Sequence, residues 1–201
     1  MIVEGILTTV GADGEIHLSA MGAAVEESQA RAIRQMELRP YQGTRTLSNL
    51  QRSGEAVFHV TDDVELLARA AVRRVETLPK LLPASAVRGW ILADACRWYA
   101  LRVTRIDVSG PRAAVETQVV AEGHLRDFLG LNRAKHAVVE AAIVASRAAI
   151  LPPGEIRDAF ARLAALVDKT GGEAERRAFA LLRELACSPE SRDGPQGEKR
   201  P

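Results

Sequence analysis

The chain has 201 residues, 47% of them hydrophobic but only 4% aromatic, with 27 basic and 26 acidic side chains and a formal net charge of +1. This length suits one large domain, or one domain with a helical annex. The balanced charge excludes an overall field for nucleic acid or anionic membrane, and the scarcity of rings excludes a stacking platform for single-stranded bases.

Cys96 and Cys187 lie far apart and form no C-x-x-C pair, so neither a disulfide framework nor a structural zinc site is signalled and a reducing cytoplasm is expected. No basic start with a long apolar run opens the chain and no apolar stretch reaches transmembrane length, so a soluble, unexported protein is expected.

Residues 2–10 are short and rich in β-branched side chains, Asp13-Gly14 signals a hairpin turn, and residues 16–21 alternate. An opening β-hairpin is predicted. Residues 34–38 read as a third strand ending at Arg39, because Pro40 biases its predecessor toward extended geometry; a helix over residues 29–36 competes with it. Residues 46–52 then form a short helix stopped by Ser53-Gly54, followed by a buried strand at residues 56–60. Asp62 and Glu65 stand at capping-box spacing before a helix whose apolar face holds Leu66, Leu67, Ala70 and Ala71.

Residues 78–86 read as irregular, punctuated by Pro79 and Pro83. A second hairpin follows. Tyr99, Leu101 and Val103 alternate, the pattern slips to Ile106 and Val108, and a bulge near Arg105 is predicted. Ser109-Gly110-Pro111 turns the chain into a strand carrying Val115, Thr117, Val119 and Ala121. Strands dominate to about Gly123 and helices after it, which reads as α+β with an antiparallel sheet or barrel.

The helical part holds an Ala-rich helix over residues 132–150 ended by Pro152-Pro153, a helix over residues 155–169 closed by a left-handed cap at Gly171-Gly172, and a helix over residues 173–186. A disordered tail is expected from residue 188 to 201.

The common nucleotide, metalloprotease and esterase signatures are absent. His17, His59, His124 and His136 are scattered, and no metal site is assigned. Residues 39–50 gather Arg39, Tyr41, Thr44, Arg45, Thr46, Ser48 and Asn49 around Gly43. Two readings stand here. The segment is either an ordinary polar loop with a helix cap, or an anion cradle of guanidiniums, hydroxyls and free N–H groups. Asn132, Arg133, Lys135 and His136 crowd the start of the first C-terminal helix, where cations oppose the macrodipole. They form either a solvated face with ion pairs or a place where an anion or carboxylates meet them. Cys96 becomes a nucleophile only if a neighbouring cation lowers its pKa.

Four blocks carry a resemblance: VEGILTTVGADGEIHLSAMG, RPYQGTRTLSNLQRSGEAVFHVTDDVELLARAA, LADACRWYALRV and GHLRDFLGLNRAKHAVVEAAIVASR. In this order they resemble an uncharacterised family, common in methane-producing archaea and found in some bacteria, that is placed among FMN-binding split β-barrels. The likeness runs from Met1 to Ala186. It implies an α+β fold with an antiparallel split barrel over residues 1–123, helices inserted, a helical subdomain packed on it over residues 124–187, and a tail over 188–201.

The resemblance also implies FMN as cofactor, held across the interface of a homodimer. By it, Arg39, Tyr41, Thr44, Arg45, Thr46 and Asn49 are expected at the phosphate and ribityl chain, while Ser19, Ala20 and Met21 line the ring through backbone groups. Ala20 departs from the family, whose members place Pro before Met-Gly. Asn132 and Arg133 are expected to bind a flavin oxygen or an anionic substrate, and His136 to transfer a proton, histidine being the side chain that ordinarily titrates near neutrality. A flavin-dependent oxidoreductase acting on a small molecule is expected, with no nucleic-acid or membrane partner. The alternatives are a non-catalytic flavin carrier or sensor, and a cofactor-less interaction module.

Overall fold

The computed structural model describes residues 1–29 and 32–188. The chain divides into two compact units, one of Met1–Asp62 with Val75–Leu129, the other of Asp63–Arg74 with the described residues from Gly130 onward.

The first unit is an antiparallel barrel. Its strands are β1 (Ile2–Val10), β2 (Ile16–Ala24), β3 (Gln35–Leu38), β4 (Glu55–Val60), β7 (Arg97–Asp107) and β8 (Ala114–His124), closed in the order β1-β2-β3-β8-β7-β4. The expected α+β barrel is therefore borne out. Residues 35–38 are strand rather than helix, and β3 pairs with β2 and β8. The predicted bulge is a register shift between Val103 and Arg105, accompanied by a second at Ala100/Leu101.

Leu7, Ala23, Met36, Leu38, Phe58, Tyr99, Leu101 and Val115 fill the barrel, so aliphatic side chains carry most of the core. Between β4 and β7 the segment expected to be irregular forms a small hairpin, β5 (Leu81–Pro83) with β6 (Trp90–Leu92). Val87 and Ile91 pack with Val57 and Ala100, with Trp98 partly buried beside them. Outward apolar residues on β4 and β7 thereby gain a cover that alternation alone does not reveal.

His59 locks these layers together. Its Nδ1 lies 3.0 Å from the Ile6 carbonyl and its Nε2 accepts the Leu92 N–H at 3.1 Å. An imidazole that accepts at Nε2 carries its proton on Nδ1 and is neutral. Burial of the ring pushes its pKa down to about 4, against the smaller opposing effect of the Ile6 carbonyl.

Asp62 corrects the expected capping box. The cap of α2 (Val64–Ala71) is Asp63, whose carboxylate accepts from Leu66 N–H at 2.9 Å. Asp62 turns inward instead, accepting from the Arg126 guanidinium and, at 3.1 Å, from Leu129 N–H. Leu66 and Ala71 are half-buried, and Val64, Leu67, Ala68 and Ala70 form the buried face of α2.

The second unit comprises α2, α3 (Arg133–Ala145), α4 (Pro153–Thr170) and α5 (Glu173–Cys187). α3 packs on α2, α4 and α5, and its buried residues are Ala134, Ala137, Val138, Ala141 and Ala142. It is shorter than predicted, and Pro153 opens α4 rather than ending α3, since proline suits a first turn whose N–H groups lack helical acceptors.

Gly171 and Gly172 are extended, with φ of −83° and −85°, so the expected left-handed cap is not formed. Gly171 is required by close approach: a Cβ there would stand 2.6 Å from the Val167 carbonyl oxygen. Gly172 opens α5, its N–H donating to Glu175 at 2.8 Å. Glu65 pairs with Arg177 at 2.8 Å and Lys135 with Glu175 at 2.9 Å. Of the expected tail, residues 189–201 lie outside the described residues.

The His59 arrangement predicts acid sensitivity. The unfolded imidazole takes up a proton near its ordinary value of 6.5 and the folded one at about 4, so the unfolded state binds more protons in between. Stability is then complete above about pH 6.5 and falls by roughly 3 kcal/mol as the pH drops toward 4. Urea unfolding across this range, with NMR titration of the ring, checks it. A His59 ring titrating at its ordinary value contradicts it.

Candidate functional site

α1 (Arg45–Ser53) is the element on which the candidate site turns. Gly43 has φ +73°, a left-handed conformation that glycine adopts without strain, and delivers the chain to Thr44. Thr44 is the N-cap. Its hydroxyl accepts from Leu47 N–H at 3.4 Å and donates to the Tyr41 carbonyl at 2.8 Å. Gly54 ends the helix with φ 66°.

One face of α1 is buried. Leu47 and Leu50 enter the barrel core, the Thr46 hydroxyl donates to Ser19 at 3.1 Å, and the Asn49 amide donates to Thr9 at 3.0 Å. Thr46 and Asn49 are thus bound to the barrel wall. Arg45 and Thr46 form the first two positions of the helix, where an α-helix offers their N–H groups no acceptor.

Both guanidiniums already meet carboxylates. Arg45 lies 2.5 Å from Glu15 and 3.8 Å from Asp13, and its hydrogen bond with Glu15 raises its pKa further. Arg39 pairs with Glu37. The loop between them is tied to the β7–β8 turn. Arg112 donates to the Tyr41 hydroxyl at 2.6 Å with its guanidinium 4.1 Å from the ring centre, and the Gln42 amide reaches the carbonyls of Val108 at 2.8 Å and Gly110 at 2.5 Å. Arg112 is a residue that sequence reasoning missed. No local spacing links it to Tyr41, because the bridge forms only when β3 pairs with β8.

Ser19, Ala20 and Met21 lie on β2 opposite Leu7, Ile6 and Gly5 of β1, all three half-buried. Ser19 and Met21 share one face, Ser19 against Thr46 and Met21 against the core, and Ala20 takes the other. The structure therefore gathers Ser19, Thr44, Arg45, Thr46 and Asn49 around α1, with Arg39 and Tyr41 on the loop before it.

In the helical unit, Asn132 caps α3. Its Oδ1 accepts from Ala134 and Lys135 N–H at 2.8 and 3.2 Å, and its amide donates to the Thr170 carbonyl at 3.0 Å. Lys135 is paired with Glu175, so the carboxylate anticipated at this helix start is supplied within the unit. Arg133 and His136 are exposed.

Cys96 is buried. Burial and then the Asp62 charge push its thiol up, so Arg97 does not activate it and the nucleophile reading fails. Among the described residues no group of three or more His, Cys, Asp or Glu side chains is placed to hold a metal, and no helix is long and apolar enough to cross a membrane.

A model described as the N-terminal domain of protein of unknown function (DUF447) matches residues 3–126, and one described as protein of unknown function (DUF447) matches residues 132–184. The chain belongs to the DUF447 family. An FMN-bound DUF447 protein from Methanosarcina mazei, known from a crystal structure, is similar over 92% of this chain and 94% of that one, with TM-score 0.76 and 19% identity.

The styrene monooxygenase flavin reductase of Pseudomonas putida S12 is similar over 61% of this chain and 80% of that one, with TM-score 0.52 and 14% identity. Flavoredoxin from Methanosarcina acetivorans covers 64% of this chain and 72% of its own, with TM-score 0.53 and 10% identity. At such identities the likeness carries the fold. No curated protein matches the chain.

The cap geometry makes its own prediction for this DUF447 protein. Thr44→Ala removes the acceptor for Leu47 N–H and lowers stability by about 1 kcal/mol without any ligand. Thr44→Ser restores it. Urea denaturation of the three proteins measures the difference, and an unchanged midpoint for the alanine variant contradicts the cap.

Proposed function

We propose that this protein binds FMN in its barrel unit and acts as a flavin-dependent oxidoreductase on a small molecule. The observation that carries the reading is the FMN-bound DUF447 protein, to which the chain is similar along nearly its whole length. The donor set here suits a phosphate monoester. The first turn of α1 has two N–H groups without a helical acceptor, its first residue Arg45 carries a guanidinium, and Arg39 is a second exposed cation. Exposed ion pairs such as Arg45–Glu15 and Arg39–Glu37 are weak and exchangeable.

In this reading the phosphate meets the Arg45 and Thr46 N–H groups and the Arg45 guanidinium, with Arg39 adding charge. Thr44, Thr46 and Asn49 hold the helix in place through their hydrogen bonds to the loop and barrel, and Tyr41 anchors the loop. Ser19, Ala20 and Met21 present strand backbone to the ring. When bound, FMN supplies the hydride and electron chemistry, while the chain supplies orientation and exclusion of water.

Arg133 is assigned to an anionic substrate and His136 to proton transfer, while Asn132, engaged as the cap of α3, positions the start of that helix. A homodimer with the flavin at its interface is part of the proposal.

Titration is expected to quench FMN fluorescence at micromolar concentration. Arg45→Gln weakens FMN roughly tenfold, the scale of one charge-assisted hydrogen bond, and leaves riboflavin nearly unchanged. Bleaching of the bound flavin by NADH or NADPH supports the oxidoreductase reading, whereas binding without bleaching by either supports the carrier. No uptake of FMN overturns the proposal.

A further inference from the structure

The turn joining β1 to β2 sets two carboxylates against the cation at the start of α1. Gly11 N–H donates to the Glu15 carbonyl at 2.7 Å, Gly14 N–H to the Gly11 carbonyl at 3.1 Å, and Asp13 Oδ1 accepts from Glu15 N–H at 2.9 Å. A Cβ at Gly11 would stand 2.5 Å from Asp13 Oδ1, so a larger residue there would displace that carboxylate. The Asp13 carboxylate is thus held by a backbone bond before any contact with Arg45, and the main chain of Glu15 is fixed at the end of the same turn. Glu15 then reaches the guanidinium at 2.5 Å and Asp13 at 3.8 Å, with side-chain exposures of 64% and 58%.

Such a pair is too wet to contribute much to stability. It does decide what Arg45 offers an incoming anion. A phosphate monoester brings about −1.5 to −2 charges and three acceptor oxygens, so it can take the guanidinium and the two helix N–H groups together. A ligand without phosphate gains nothing from displacing Glu15.

We infer that Glu15, seconded by Asp13, is a built-in competitor for Arg45 that lowers the affinity of the α1 start for phosphate and thereby tunes how tightly FMN is retained. This rests on the FMN reading above. Glu15 acts through Arg45 and touches no ligand itself, so its effect belongs to the phosphate end alone. Removing its charge should strengthen binding, the opposite of losing a ligand contact.

The test measures FMN and riboflavin dissociation constants for wild type, Glu15→Gln, Glu15→Asp, Arg45→Gln and the Glu15→Gln/Arg45→Gln pair, at low salt and at about 1 M salt. Glu15→Gln is expected to bind FMN about two- to fivefold tighter at low salt, the range of an exposed ion pair, with riboflavin unchanged. Glu15→Asp stays near wild type. The gain disappears when Arg45 is already Gln and shrinks in high salt.

Equal or weaker FMN binding by Glu15→Gln overturns the inference while leaving the FMN reading intact, as does an equal gain for riboflavin or a gain that survives without Arg45. Failure of wild type to take up FMN overturns both.

Discussion

The seating of α1 against β1, β2 and the barrel core is the contact from which the rest of the candidate site follows. Leu47 and Leu50 of α1 lie in the same core as Leu7, Phe58 and Leu101. Around them, Thr46 bonds Ser19 and Asn49 bonds Thr9. Each of those buried polar groups would cost about 1–3 kcal/mol if left without its partner, so rotating the helix on its axis is opposed at two points as well as by the core. With rotation and depth fixed, the helix start opens beside the β1–β2 turn, and Arg45 can lie within reach of Glu15. The polar side chains that look most like ligands, Thr46 and Asn49, thus hold the scaffold.

A second constraint governs where the chain leaves the barrel unit. Asp62 and Leu129 are the barrel residues that precede the two passages into the helical unit, and the Asp62 carboxylate accepts the Leu129 N–H while holding Arg126. Arg126 also donates to the Asp94 carbonyl at 2.8 Å. A buried carboxylate is tolerated only with such partners, and removing one would strand the other. The helical unit is held by different means. The small side chains of α3 let backbones approach closely, Phe160 meets Phe179 at 5.3 Å between ring centres, and the Glu65–Arg177 pair joins α2 to α5 across 112 positions of sequence.

Much of this order was legible in the residues. Period-two runs, Asp13-Gly14 and the slip after Val103 located the hairpins and a bulge, and Ser53-Gly54 the end of α1, because turn and cap chemistry act over a few residues. The failures share a cause. Asp62 and Asp63 present the same capping signal, and only Arg126, far along the chain, decides which one turns inward. Gly171-Gly172 spells a left-handed cap locally, yet the Val167 carbonyl and the start of α5 dictate extended backbone. Asn132 and Lys135 looked like an anion site because Thr170 and Glu175, which satisfy them, lie on other elements. Arg45 was legible as a cation, but its carboxylate neighbours required the hairpin and α1 to be brought together.

This division of labour separates what a single substitution removes from what it leaves in place. Side-chain ligands are lost by single substitutions, whereas N–H groups at a helix start persist as long as the helix is held at the same place and angle. Here the helix is held by two apolar residues three apart, Leu47 and Leu50, by the hydrogen bond between Thr46 and Ser19, and by the left-handed entry at Gly43. Arg45 stands at its first position and meets Glu15 on the β1–β2 turn, which Gly11 and Gly14 close through backbone hydrogen bonds. Under the proposed FMN reading, the side chains around the start of α1 set how strongly a phosphate is held, and the carboxylates of the β1–β2 turn would set it lower.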